Sequence, residues 1–246
     1  MERPLAAKIR LYVDQPLGPG QSVALTQPQA HYLFAVMRLS EGATVTLFNG
    51  REGAFAATVT RADKRKGTLA VGEQTAPLQP PPDLWLMFAP IKKARTDFIV
   101  EKAVEMGAAR IVPVHTDFTN AERIRHDRLQ AHAIEAAEQC GATMVPEVTQ
   151  IARLGALLDD WPGDRRLMFC DEALAGTAAP LPDTVGAADP WAILIGPEGG
   201  FSDSERVRLS QMAGSHPVSL GPRILRADTA AVAALTLWQL RIGDWR

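Results

Sequence analysis

Apolar residues follow two rhythms along this chain, and the change between them comes just after Ala76. Before it the rhythm is two. Ile9–Val13 and Thr44–Phe48 alternate apolar and polar positions, and the second run ends on Asn49-Gly50, a hairpin signal. Ala54–Thr60 and Gly67–Val71 read as further strands. One helix is expected among them, over Gln29–Leu39, with Leu33, Val36 and Met37 on one face. Short strands at turn spacing predict a small barrel.

Pro77 to Asp83 carries three consecutive prolines, Pro80–Pro82. Such a run sits inside neither a helix nor a central strand and stiffens the chain, so it reads as a linker. The expected division is residues 1–76, a linker at 77–83, and 84–246. Beyond the linker, apolar runs without alternation alternate with helical patterns. Leu84–Ala89, Arg110–His115, Leu167–Cys170, Ile193–Ile195 and Pro217–Leu220 read as strands. The expected helices are Thr96–Met106 (Phe98, Ile99, Ala103 and Met106 inward, Gly107 as stop), Asp127–Cys140, Ile151–Asp159, Ser202–Met212 and Asp228–Leu240. Ser202 with Glu205 fits a capping box. Thr177–Pro190 reads as loop. The alternation predicts an α/β domain with a mostly parallel sheet.

Composition narrows the function classes. The chain is 46% hydrophobic and only 6% aromatic, so aliphatic side chains must build the core. Cys140 and Cys170 are too few and too isolated for a disulfide framework or a zinc site. Neither a signal-like segment nor a membrane-length apolar run is visible, which predicts a soluble, cytoplasmic protein with no membrane association. The five histidines have no metal-ligand spacing, and no metal is expected. Net charge is −2, but residues 1–76 hold nine Lys/Arg against six Asp/Glu and the remainder seventeen against twenty-two.

Candidate chemistry gathers near the end. Ile195-Gly196-Pro197-Glu198-Gly199-Gly200-Phe201-Ser202 and Leu220-Gly221-Pro222-Arg223-Ile224-Leu225-Arg226-Ala227-Asp228-Thr229-Ala230 share a plan: apolar run, Gly-Pro turn, helix start. Each turn exposes backbone N–H groups. Two together could line a pocket with main chain, suited to a neutral or zwitterionic ligand. The first turn lacks the Lys-Ser/Thr ending of a phosphate loop and is not G-x-G-x-x-G.

These two runs resemble the SPOUT superfamily of methyltransferases and, within it, the RsmE-type family, which methylates N3 of a uridine in 16S ribosomal RNA. The cluster Lys92-Lys93-Arg95, the run Glu135–Gln139 and the N-terminal pattern His31-Tyr32-Leu33, Met37-Arg38-Leu39, Gly42 and Phe48-Asn49-Gly50 are similar to that family too. The resemblance implies a SPOUT-type parallel sheet with a C-terminal trefoil knot through Leu220–Ala230, plus a small N-terminal PUA-like β-barrel. It implies S-adenosylmethionine as cofactor, held by Ile195, Gly196, Pro197, Glu198, Gly199, Gly200, Leu220, Gly221, Ile224, Leu225, Thr229 and Ala230. Glycines there let main chain approach a ligand where a Cβ would collide. It implies RNA contacts at Arg10, Arg38, Lys92, Lys93, Arg95, Arg223 and Arg226, 16S RNA of the small ribosomal subunit as partner, and a homodimer.

Glu198 and Arg226 are the candidate catalytic residues. Glu198 reads equally as a structural acceptor at its turn, and Arg226 as a grip on phosphate or uracil. Glu198, Asp228 and a path to solvent all remain open for removing the N3 proton. Asp228 or Thr229 reads as the cap of the last helix, Thr229 the better of the two. Two positions depart from the family: Asp228 stands where it has Glu, and Ala142 where it has Arg. Ribose 2′-O methylation, or a non-catalytic RNA-binding assembly factor of the same fold, are the alternative readings.

Overall fold

A computed structural model describes residues 9–120, 124–177, 181 and 189–245. It separates into two compact units, one of Met1–Pro80 with Ala137–Val145 and one of Pro81–Ala136 with Pro146–Arg246.

Unit 1 contains β1 (Arg10–Tyr12), β2 (Ser22–Ala24), α1 (Gln27–Ala30), β3 (Thr44–Phe48), β4 (Ala54–Ala62) and β5 (Gly67–Ala76). They form a five-stranded mixed sheet, ordered β1-β3-β4-β5-β2. β1 runs parallel to β3, and the other pairs are antiparallel. The hydrogen-bonded ladder is open between β1 and β2 among the described residues, so the expected barrel is a half-barrel. Leu33, Val45, Leu47 and Leu69, all fully buried, form the centre of its core.

The helix expected over Gln29–Leu39 differs from the forecast. A capping box, Thr26 with Gln29, starts α1, but His31–Val36 winds as a π-helix. The wider winding takes Val36 and Met37 off the face of Leu33, so Leu33 is buried while the other two are exposed. The chain leaves the π-turn through Arg38 at φ 58°, the only non-glycine residue in the left-handed region among those described.

Unit 2 contains β6 (Leu84–Phe88), α2 (Lys93–Glu105), β7 (Arg110–His115), the body of α3 (His126–Cys140), β8 (Glu147–Val148), β9 (Ala152–Arg153), α4 (Leu154–Asp159), β10 (Arg166–Cys170), β11 (Trp191–Ile195), α5 (Asp203–Gln211), β12 (Ser215–Val218) and α6 (Ala227–Arg241). The strand order is β12-β10-β11-β6-β7-β8, all parallel, with β9 also pairing β7. Every residue of β11 is buried, which is why that run shows no alternation. One face is covered by Phe201, Leu209, Leu154 and Leu158. α6 packs against α2 and β11 with Leu235 and Trp238 fully buried. Because the strands are parallel, the carboxyl ends of β7, β6, β11, β10 and β12 share one edge.

Some details correct the sequence reading. Phe98 does not point inward: it is exposed, with the Lys102 ammonium over its ring at 5.4 Å. β12 ends at Val218, so Ser219 and Leu220 belong to the turn. α6 takes Arg226 as N-cap residue with no side-chain cap. Asp228 and Thr229 therefore lie inside its first turn, where the Asp228 carboxylate accepts from the Thr229 N–H (3.0 Å) and suits the positive end of the helix. Of the chain expected as loop over Thr177–Pro190, residues 178–180 and 182–188 lie outside the described residues. Among the described residues no helix is long and apolar enough to cross a membrane.

The opposite edge of the sheet is pinned by Arg165. Its guanidinium bonds both Asp83 carboxylate oxygens (2.9 and 3.0 Å) and the Trp191 carbonyl (2.8 Å), and it lies 3.8 Å from the Trp85 ring centroid. Arg165 is buried whereas Asp83 is half exposed, so the pair is partly screened. Arg165→Ala should destabilise the protein by about 2 kcal/mol, since it strands a buried carbonyl and removes the forked contact. Arg165→Lys should recover only part of that, having no planar fork. Urea unfolding midpoints of the three proteins check both expectations.

Candidate active site

At the carboxyl edge, four stretches of chain end around one cavity of about 450 Å³. They are the turn after β11, the segment after β12, the loop after β10 and the start of α2. Volumes of this order hold a drug-sized ligand. The lining includes Ile195, Gly196, Pro197 and Glu198, then Leu220, Gly221, Arg223, Ile224, Leu225, Arg226 and Ala230, and the cations Lys92 and Arg95. All of these were expected from the sequence. Val218, Ala227, Cys170, Asp171, Glu172 and Ala175 also line it and were not.

Two glycines of the first turn, Gly196 and Gly200, are required by their protein neighbours. A Cβ on Gly196 would stand 2.7 Å from the Phe201 ring, whereas one on Gly199 would make ordinary contact with Phe118 at 3.4 Å. Gly200 has φ +70°, and a Cβ there would stand 1.7 Å from a Glu172 carboxylate oxygen. Gly199 and Gly200 are not among the residues that line the cavity. Gly221 meets nothing within 4 Å; its φ of +122° is what calls for glycine.

The loop after β10 is fixed by charge. Arg206 of α5 reaches Asp171 (3.2 Å) and Glu172 (2.7 Å). Burial works against the Arg206 charge, and the two carboxylates outweigh it, holding the guanidinium above its ordinary range. Asp171 also accepts from the Ala173 N–H (3.0 Å), capping a short 3₁₀ turn at Glu172–Leu174. The Gly176 N–H then donates to the Gly221 carbonyl (3.1 Å), which ties this loop to the second glycine turn. α5 starts on the expected capping box, Ser202 with Glu205. Burial alone drives the Cys170 thiol far above its usual range, so it contributes packing and no thiolate.

Arg95 joins the two candidate carboxylates. It pairs with Glu198 (3.3 Å) and lies 3.7 Å from Asp228. Neither carboxylate is free in this arrangement. Lys92, Arg223 and Arg226 are exposed, and their side chains have no ion-pair or hydrogen-bond partner among the described residues. Lys93 and Thr229 are exposed and do not line the cavity. No cluster of metal-ligating side chains occurs among the described residues.

Residues 79–239 match the RNA methyltransferase domain family, and residues 25–71 the RNA methyltransferase PUA domain family. A protein of Legionella pneumophila, solved with the cofactor SAM bound, is 31% identical over 96% of this chain and 98% of its own, with TM-score 0.85. The ribosomal RNA small subunit methyltransferase E of Neisseria gonorrhoeae, solved bound to S-adenosyl methionine, is 29% identical over 97% and 99%, with TM-score 0.86. The protein of that name from Buchnera aphidicola is 27% identical over 96% and 97%. The chain belongs to the ribosomal RNA small subunit methyltransferase E family. Its parallel sheet and N-terminal mixed sheet are the SPOUT-type and PUA-like parts of that fold.

Two family-implied RNA residues lie in unit 1, and the structure treats them differently. The Arg10 guanidinium donates to the Ala142 carbonyl (2.6 Å) and lies 4.8 Å from the Phe48 ring centroid. Burial lowers its pKa. Arg10 is thus half-buried and held by packing within unit 1. Arg38, by contrast, projects from its left-handed turn into solvent.

Asp171 and Glu172 were missed because the loop around them reads as ordinary polar sequence. A signal was present: two acids directly after a buried parallel strand, whose carboxyl end must share an edge with the glycine turns.

Proposed function

We propose that this cavity holds S-adenosylmethionine and that the enzyme transfers its methyl group to N3 of a uridine in 16S RNA of the small ribosomal subunit. The observation that carries this reading is the convergence of both glycine turns and the Asp171–Glu172 loop on one cavity. The wall suits that cofactor. Ile195, Val218, Leu220, Ile224, Leu225, Ala227 and Ala230 supply apolar surface for an adenine, and the main chain at Gly196 and Gly221 supplies polar groups beside it. Asp171 and Glu172 supply acceptor oxygens for hydroxyl or ammonium groups. A Cβ at Gly200 would displace Glu172 from this wall.

When bound, the cofactor supplies an activated methyl carbon, so the protein's share is alignment and charge. Lys92, Arg223 and Arg226, unpaired at the mouth, take RNA phosphates, and Arg226 stands at the N-cap of α6 between the wall residues Leu225 and Ala227. Lys93 extends the basic surface of this unit, and Arg38 is an RNA contact on unit 1. Arg95 holds Glu198 and Asp228 in place. We assign these two carboxylates to orientation and the N3 proton to solvent at the open mouth. In cells, the enzyme works in the cytoplasm as a homodimer.

The deciding experiment supplies labelled S-adenosylmethionine and small ribosomal subunits from a strain lacking the gene, then maps the modified nucleotide. Label at N3 of one uridine is the expected result; label on a ribose oxygen, or none, overturns the reading. Gly200→Ala should weaken cofactor binding at least about tenfold, because its Cβ would push Glu172 from the wall and a hydrogen bond to a charged group is worth about 1.5–3 kcal/mol. Calorimetric titration checks it, and an unchanged affinity removes this turn from the cofactor site. A general base is worth about 10²–10⁴ in rate. Glu198→Gln and Asp228→Asn should each stay within about tenfold of wild-type kcat, and a larger loss in either names it as the base. Sedimentation should give twice the chain mass of 26.6 kDa.

A further inference from the structure

Beside the cavity, a rigid turn holds an aromatic ring in solvent. β7 ends at His115, and the chain turns at once over Thr116–Thr119. The Thr119 N–H donates to the Thr116 carbonyl (3.1 Å) and the Thr116 N–H to the Thr119 hydroxyl (2.9 Å). Both threonines are buried, and their hydroxyls meet at 2.8 Å. Asp117 is fixed to the start of α5: its N–H donates to Glu205 (2.9 Å), and its carboxylate accepts from the Ser202 hydroxyl (2.5 Å). Phe118, between these anchored residues, is 46% exposed.

Neither the turn nor the core requires that ring. The hydrogen bonds are made by its neighbours, and its Cβ merely borders Gly199, where an added Cβ would stand 3.4 Å away. An exposed apolar side chain is ordinary by itself; this one stands out by its hydrogen-bonded backbone and its place next to the cavity wall. What surrounds it identifies the ligand. Gly199 follows Glu198 of the cavity wall, and the mouth of that cavity carries the unpaired cations Lys92, Arg223 and Arg226. A polyanion is drawn to such a rim. Cations for phosphates beside a flat ring for a base are what single-stranded nucleic acid requires.

We propose that Phe118 is a stacking platform for an unpaired RNA base flanking the one that enters the cavity. The inference rests on the methyl-transfer reading of the cavity and adds a specificity-determining contact to it. Phenylalanine suits the task because a ring with two torsions loses little freedom on binding. The anchored turn sets its height and direction before RNA arrives. Stacking is indifferent to base identity, so the contact selects an unpaired, splayed strand over a duplex rather than a particular sequence.

The test measures affinity for unmethylated small ribosomal subunits and kcat/KM for methyl transfer in four proteins: wild type, Phe118→Ala, Phe118→Leu and Phe118→Trp. Alanine and leucine should each lose about tenfold in subunit affinity, and tryptophan should match wild type. Cofactor affinity and sedimentation should be unchanged throughout, which also shows that the variants fold. Wild-type affinity in Phe118→Ala overturns the proposal. So does a leucine variant as good as tryptophan, because that is apolar contact without stacking. A lighter sedimenting species for Phe118→Ala overturns it too, assigning the ring to a second copy of the chain. Subunit binding by wild type without any methyl transfer would instead sink the reading of the cavity, and the binding series would still decide the stacking.

Discussion

Arg206 is where the walls of the cavity are held to one another. Its guanidinium fixes Asp171 and Glu172 after β10 from a helix that begins just past the first glycine turn. Glu172 can stand there only because Gly200 has no side chain. The same loop passes on, through Gly176, to the Gly221 carbonyl of the second glycine turn. One charge cluster and one missing Cβ thus couple three loops that are far apart in sequence. The parallel sheet makes this possible by bringing every strand's carboxyl end to one edge, where loops can meet without crossing the core.

Charge around the cavity is divided by function. Arg206 and Arg95 are spent on carboxylates of the protein itself and set geometry. Lys92, Arg223 and Arg226 are left unpaired at the mouth, where attraction to a polyanion would cost no broken ion pair. Phe118 follows the same logic in apolar form, as a ring that is anchored through its neighbours while its own face stays open. Preorganisation of this kind places the expense of ordering in folding rather than in binding.

The fold was largely legible because burial on both faces leaves a strong trace. β6 and β11 read as uninterrupted apolar runs, and the capping box of α5 is four residues of plain text. The failures have physical causes. Sequence periodicity assumes 3.6 residues per turn, and the π-winding of His31–Val36 breaks that count, so Val36 and Met37 were put on the wrong face. Phe98 reads as core by its chemistry, yet a lysine ammonium covers it instead. In the site, both glycine turns could be read from residue type alone, since few residues tolerate such backbones. Asp171 and Glu172 could not, because their meaning comes from Arg206, thirty-five and thirty-four residues away. The packing of Arg10 was hidden for a related reason: its partners, Phe48 and Ala142, become neighbours only in three dimensions.

The strand order also dictates when the cavity can exist during folding. β6 and β11 lie side by side, with Leu84 opposite Trp191, more than a hundred residues apart. β10 must then find β12 on its far side. Closing such separations is slow compared with forming local helices or the hairpin of β4 and β5. The half-barrel, built largely from neighbours in sequence, can assemble while the chain is still being synthesised. The cavity must wait for Ala230. A small molecule that fits it therefore meets only a finished sheet, and its binding acts as a latch on the last event of folding rather than a guide to the first.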